Sequence, residues 1–115
     1  MTPEQQQIEL AKLDGWTAIE DAEGFWRATR DGKMTSDLWI SESNVWSVGM
    51  PDFLGDLNAV HELEKKLWLD NEEKLLNTRE TYHEWQMYKH QIRYNVHARA
   101  SQRCEAILRV KGIWK

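Results

Sequence analysis

The segment 51–68 constrains the fold of this chain more than any other stretch. Pro51 ends whatever precedes it, and either Asp52 or Asp56 could cap a helix, because a short carboxylate accepts from the free N–H groups of a first turn. Apolar residues then recur at steps of three, four and seven, with charged residues between them: Phe53, Leu57, Val60 and Leu67, widened by Leu54, Leu63 and Trp68. This spacing predicts a one-sided helix with Leu57 and Val60 at the centre of the core.

The residues before this helix predict one helix and a small sheet. Thr2, Pro3 and Gln5 form a capping-box start and Gly15 is a stop signal, which together predict a helix over residues 3–13. Aromatic and β-branched residues at 16–20 and 25–30 flank a turn at 21–24 and predict a hairpin. Residues 38–40 and 45–48 would supply one or two further short strands around a polar turn at 41–44.

The residues after the central helix predict two helices with a strand between them. Helical spacing covers 71–89 and 102–110, with Gly112 as the final cap, and strict alternation over 94–98 is typical of a strand with one buried face. The whole order is helix, two to four strands, two helices, strand, helix. It predicts an α+β fold in which a small antiparallel or mixed sheet is covered by helices, an α-β-α sandwich, as a single domain over residues 1–115.

Composition restricts the setting of the protein. The chain has 115 residues, of which 30% are charged, and its one cysteine allows no internal disulfide, which fits a reducing cytoplasm. It has no apolar run near 18 residues, so we expect no membrane span, and its first ten residues resemble a helix start and not a signal peptide.

The sequence contains no pattern that dictates a chemistry. His83, His90 and His97 are seven residues apart, and on one helix they would lie about 10 Å from one another, too far to share a zinc ion. Neither a glycine-rich phosphate loop nor a nucleophile elbow is present, and Cys104 lies at an apolar helical position. Nothing selects a pair of carboxylates for acid–base work. We therefore expect a protein that is not an enzyme, with no catalytic residue, metal site or cofactor.

Charge is unevenly distributed along the chain. Residues 1–73 hold 6 basic and 16 acidic side chains, whereas residues 74–115 hold 9 basic and 3 acidic ones. Either the two halves fold against each other and partly neutralise, or the basic segment faces an anionic partner.

The basic segment also contains the candidate site. Trp85 and Tyr88 could form an aromatic platform, and the anion- or partner-binding candidates are Lys89, Arg93, His97, Arg99 and Arg103. Stacking surfaces beside cations are what nucleotides and single-stranded nucleic acids require. The same aromatic spacing is also typical of core packing, so both interpretations remain open.

Three stretches of the chain resemble a known family. They are PDFLGDLNAVHE at 51–62, LDGW at 13–16, and the close formed by ARASQRCEAILR at 98–109 and KGIW at 111–114. The resemblance is to small phage and prophage proteins with the phage ABA-sandwich domain. It implies an α-β-α sandwich and supplies no active residue to carry over. Such proteins often have threonine where this chain has Arg99, which predicts a lost cap and a later start for the last helix.

The resemblance and the lack of chemistry together imply a role. We expect a small phage-encoded accessory protein in the cytoplasm of a bacterial host, acting as a non-catalytic binding module. Its partner would be a host or phage protein or an anionic small molecule, and inhibition of a host defence component is one form this could take. The alternative is a nucleotide- or nucleic-acid-binding protein that uses the basic C-terminal segment.

Overall fold

The computed structural model describes residues 1–35, 37–69, 79–92 and 99–115. Those residues form five helices and a three-stranded antiparallel sheet of order β1-β2-β3, which confirms the predicted α+β class. In chain order the elements are α1 (Pro3–Leu13), β1 (Trp16–Glu20), β2 (Trp26–Arg30), β3 (Lys33–Met34), α2 (Glu42–Val48), α3 (Leu57–Glu64) with a π-helical continuation (Lys65–Leu69), α4 (Arg79–Ile92) and α5 (Ala100–Val110).

The first helix and the hairpin form as the sequence predicts. The Thr2 hydroxyl accepts from the Gln5 N–H at 3.2 Å, and the Gln5 side chain accepts from the Thr2 N–H at 3.1 Å. Gly15 follows with φ +88°, a conformation that side chains with a Cβ avoid. β1 then pairs with β2 in a register that runs from Trp16 opposite Arg30 to Glu20 opposite Trp26.

The segment after the hairpin differs from its prediction. Residues 45–48 belong to the helix α2 and not to a strand, because Ser41 acts as an N-cap whose hydroxyl accepts from the Asn44 N–H at 3.4 Å. The resulting turn buries Val45 and Trp46 on one side. Within 38–40, Trp39 forms an isolated antiparallel bridge to Trp26, and the third strand lies earlier, at Lys33–Met34.

The central helix takes the later of its two predicted starts. Pro51 and the residues after it form a turn, and Asp56 is the N-cap, its side chain accepting from the Asn58 N–H at 2.9 Å. Leu57 is therefore the first helical residue and is 50% exposed, so its predicted place at the centre of the core is wrong. Val60 and Leu63 are fully buried, as the helical spacing requires.

The last two helices extend beyond their predicted limits. α4 continues to Ile92, while the first part of the predicted helix over 71–89 and the whole predicted strand over 94–98 lie outside the described residues. α5 begins at Ala100, earlier than the predicted 102. The early start follows from half of a capping box: the Arg99 N–H donates to the Gln102 side chain at 2.8 Å, although an arginine side chain has no acceptor to return the bond.

One continuous core joins these elements. α1 and α2 pack against the hairpin, α5 packs against α1, α3 and α4, and α4 also contacts the π-helical segment. The largest fully buried side chains come from both ends of the chain: Leu10, Val45, Phe53, Val60, Leu63, Trp68, Tyr88, Cys104, Ile107 and Leu108. Gln7 ties the layers together, since its side chain bonds the Pro51 carbonyl at 2.6 Å and the Phe53 N–H at 3.2 Å.

Candidate functional site

Three aromatic rings from the middle of the chain stack on one another. Trp68 lies 4.7 Å from Tyr88 and 5.8 Å from Trp85 between ring centroids, and Trp85 lies 5.9 Å from Tyr88. Trp68 and Tyr88 are fully buried, whereas Trp85 is only partly buried. The two predicted platform residues are thus brought together, but Tyr88 offers no ring face to a ligand, so a platform would consist of Trp85.

Cations border the stack. The Lys89 ammonium lies 5.2 Å from the centre of the Trp85 ring, and Lys111 lies 5.9 Å from the centre of the Trp68 ring. Lys111 is also paired with Glu84 at 2.7 Å, whereas Lys89 is exposed. A cation over an aromatic face is worth about 0.5–1 kcal/mol at exposed sites, so this arrangement stabilises the surface whether or not a ligand binds.

An ion pair between α3 and α5 occupies another of the predicted binding residues. Arg103 Nη1 lies 3.0 Å from Glu64 Oε1 and 3.3 Å from Oε2, and the Glu64 side chain is only 6% exposed. Arg103 therefore joins the basic segment to the acidic one, as the neutralisation hypothesis expects. Its Nη1 is committed to Glu64, while 24% of the side chain remains exposed.

The surroundings of this pair disfavour further charge. Burial raises the pKa of the Tyr88 hydroxyl well above its usual range, and the Glu64 carboxylate adds to that shift. Burial likewise raises the pKa of the Cys104 thiol to about 12, with Glu64 and Asp52 contributing. A neutral thiol that donates to the Phe53 carbonyl at 3.2 Å is a packing residue and not a nucleophile. Within the described part of the chain, the Tyr88 hydroxyl, Trp68 Nε1 and Arg103 Nε make no hydrogen bond.

The remaining predicted site residues are dispersed. Arg99 is exposed at the N-terminus of α5, and Lys89 is exposed on α4. Arg93 and His97 lie outside the described residues, so the proposed group of cations is placed only in part.

The sheet has a second surface that the sequence analysis did not single out. The pairs Trp16–Arg30, Ala18–Ala28 and Glu20–Trp26 point one way, and Ala28 is fully buried beneath the helices. The alternate pairs point the other way, together with Met34, which is paired with Thr29. Alternation about the Trp26–Trp39 bridge assigns Phe25, Leu38 and Ile40 to the same side. We call this second surface the outer sheet face, and it comprises Thr17, Ile19, Phe25, Arg27, Thr29, Met34, Leu38 and Ile40.

The outer sheet face exposes large apolar side chains. Ile40 is 84% exposed and Met34 is 62% exposed, and Ile19, Phe25 and Leu38 are also exposed. Thr29 is the buried member, held by a hydrogen bond between its hydroxyl and that of Thr17. One charged residue, Arg27, lies among them, 4.0 Å from Asp21. Five exposed apolar side chains on one face of a small sheet form a patch of the kind that marks interaction sites.

Alternation in the sequence could have indicated this face. In β1, Thr17 and Ile19 lie on one side of the strand and Trp16 lies on the other. Each side therefore carries a large apolar residue, and only one side can face the helices. The register of Met34, and the bridge that turns Leu38 and Ile40 outward, are long-range features that no local pattern shows.

The described residues offer neither a metal site nor a membrane-spanning helix. No three histidine, cysteine, aspartate or glutamate side chains among them are arranged to hold a metal ion. None of their helices combines the length and apolar character needed to cross a membrane.

Comparisons with models of known protein families, with curated proteins and with solved structures found no match to this chain.

Proposed function

We propose that this protein is a non-catalytic binding module, a phage-encoded accessory protein that binds a host or phage protein through the outer sheet face. The observation that carries the proposal is the exposure of Ile19, Phe25, Met34, Leu38 and Ile40 on one surface. The phage setting comes from the resemblance of the sequence motifs to phage ABA-sandwich proteins alone, and a host defence component is the partner class that we propose for that setting.

A protein partner suits the composition of this face. Interface centres are depleted in charge and enriched in apolar and aromatic side chains, and the outer sheet face has that composition around its one arginine. A nucleic acid would require a row of cations, which this face does not offer among its eight residues.

The proposal is tested by an affinity experiment with matched variants. The immobilised protein would be incubated with phage-infected and uninfected bacterial lysates, next to the double variant Met34→Glu/Ile40→Glu. The control is the double variant Val48→Glu/Tyr82→Glu, which adds the same two charges at exposed residues of α2 and α4, 63% and 52% exposed, away from the outer sheet face. We expect proteins retained by wild type and by the control to fall at least about tenfold with the double variant, since two buried charges cost several kcal/mol at an interface. Equal retention by all three proteins would refute the role of this face.

A second candidate function rests on Lys89 and Trp85. The ammonium above a partly exposed indole, with exposed Arg99 on the following helix, could hold a nucleotide or a single-stranded nucleic acid. Titration with an oligothymidylate would then quench tryptophan fluorescence, and both Trp85→Ala and Lys89→Ala would weaken binding. An absence of quenching at low salt, together with an ordinary A260/A280 ratio after purification, would eliminate this candidate.

A further inference from the structure

β1 is an edge strand whose outward backbone groups can be identified. The Ala28 carbonyl accepts from the Thr35 N–H at 2.9 Å, and Trp26 exchanges two hydrogen bonds with Trp39 at 2.8 and 2.9 Å. The backbone of β2 therefore turns toward β3 at Trp26 and Ala28, and toward β1 at Arg27 and Thr29. Because bonded and non-bonded pairs alternate in an antiparallel ladder, the N–H and C=O groups of Trp16, Ala18 and Glu20 point away from β2.

This edge has little of the protection that edge strands usually carry. It contains no proline, no lysine and no bulge over Trp16–Glu20, and its side chains at Thr17, Ile19 and Glu20 are exposed. Within the described part of the chain, β1 pairs with β2 alone.

We propose that a second copy of this chain pairs with β1, so that two three-stranded sheets become one antiparallel sheet of six strands. A two-fold axis at Ala18 sets the register, with Trp16 of each copy opposite Glu20 of the other. In this register the backbone groups of Trp16, Ala18 and Glu20 must form the hydrogen bonds between the two copies, and these are the groups that point away from β2. Each outward N–H of one copy then lies opposite an outward C=O of the other. A register displaced by one residue would oppose outward groups to groups already bonded to β2.

The side chains are also self-complementary in this register. Glu20 has no ionic partner among the described residues, and it would lie beside Trp16 of the other copy, whose ring carries the Arg30 guanidinium 5.3 Å from its centre. On the opposite side of the sheet, Ile19 would face Thr17 of the other copy and extend the apolar surface across the axis. The pairing is independent of the partner-binding role proposed above, because it leaves the outer sheet face of both copies uncovered.

Sedimentation velocity from about 1 to 500 µM tests the pairing with three variants. Ala18→Pro removes an N–H that points away from β2, a place where an edge strand tolerates proline, and it should keep the protein monomeric throughout this range. Glu20→Arg brings a cation toward Arg30 of the other copy and should raise the dissociation constant at least tenfold. Glu23→Arg makes the same charge change in the hairpin turn and should leave association unchanged.

Amide hydrogen exchange reports on the same register without any substitution. In wild type, protection at Trp16, Ala18 and Glu20 should rise with protein concentration, while Thr17 and Ile19, bonded to β2, should be protected at every concentration. A wild-type protein that is monomeric at 500 µM would overturn the proposal. The proposal would also be overturned by a dimer that forms equally well in the folded Glu20→Arg variant and that adds no protection at the amides of Trp16, Ala18 and Glu20.

Discussion

Asp14 and Glu64 are carboxylates that the fold buries, and each is held by cations from distant parts of the chain. Asp14 accepts from Trp16 Nε1 at 3.0 Å and from Arg30 at 3.2 Å, and Lys66 lies 3.5 Å from its other oxygen. Glu64 is met by Arg103, 39 residues away. A buried carboxylate costs several kcal/mol unless it is paired in this way. Asp14 therefore holds α1, β2 and the π-helical segment together, and Glu64 holds α3 to α5.

Tyr88 should make stability depend on pH at alkaline values. Burial raises the pKa of its hydroxyl above the ordinary 10.0, so the folded state holds this proton more tightly than the unfolded chain. The resulting stabilisation is complete below pH 10 and is lost as pH rises further, at about 1.4 kcal/mol per pH unit. Urea unfolding at pH 9 to 11 should therefore show a steeper loss for wild type than for Tyr88→Phe.

The matched control is Tyr82→Phe, on an exposed part of the same helix. In this variant the free energy of unfolding should fall with pH as steeply as in wild type. Near pH 7, Tyr88→Phe should differ from wild type by no more than about 1 kcal/mol, because its hydroxyl makes no hydrogen bond within the described residues. If the free energy of unfolding fell equally steeply with pH in wild type and in Tyr88→Phe, the raised pKa of Tyr88 would be contradicted.

At the scale of elements, α3 shows how a cap determines which residues of a helix are buried. Asp56 begins the helix at Leu57, whose side chain is half exposed. The apolar stripe that reaches the core therefore consists of Val60, Leu63 and, within the π-helical segment, Trp68. The same local logic makes α2 a helix: Ser41 is a cap, although the β-branched residues after it favour a strand.

Two leucines of α3 provide a direct measurement of this geometry. Leu63→Ala removes a fully buried side chain and should reduce the free energy of unfolding by roughly 2–5 kcal/mol. Leu57→Ala removes one that is half exposed and should cost less than about 1 kcal/mol. Urea midpoints of the two variants decide the matter, and equal losses would mean that Leu57 is buried in solution.

At the scale of the whole molecule, the core spans both halves of the chain. Leu10 and Ala11 of α1 are buried in the same cluster as Ile107 and Leu108 of α5, and α1 also packs against α2 and β1. Neither half can expose its apolar surface without disrupting the other, which is the condition for a single cooperative transition.

Two probes in different halves test that cooperativity. Trp46, on α2, reports on the sheet side through fluorescence, and Cys104, buried in α5, reports on the helical side through pulsed thiol labelling. We expect their urea transitions to coincide at one midpoint when Trp46 fluorescence is isolated as the difference between wild type and Trp46→Phe. A Cys104 that becomes reactive at lower urea would show that α4 and α5 unfold as a separate unit.

Local patterns in the sequence were sufficient for much of this fold. The capping box at Thr2, the positive φ at Gly15 and Gly112, the hairpin, and the α+β class all follow from short-range chemistry that acts within a few residues. Their physical basis is that caps and turns satisfy backbone groups nearby, whatever the rest of the chain does.

Tertiary structure alone decided the features that bear on function. Three features depend on which surfaces meet across 13 to 39 residues of sequence: whether Arg103 meets an external anion or Glu64, whether Tyr88 is a platform or core, and whether Ile40 is buried. Helical or alternating spacing tells which residues share a face, but it cannot tell whether another element covers that face. The sequence by itself thus determined most elements and their caps, though not α2 or β3, whereas packing determined which apolar and charged side chains remain available to a partner.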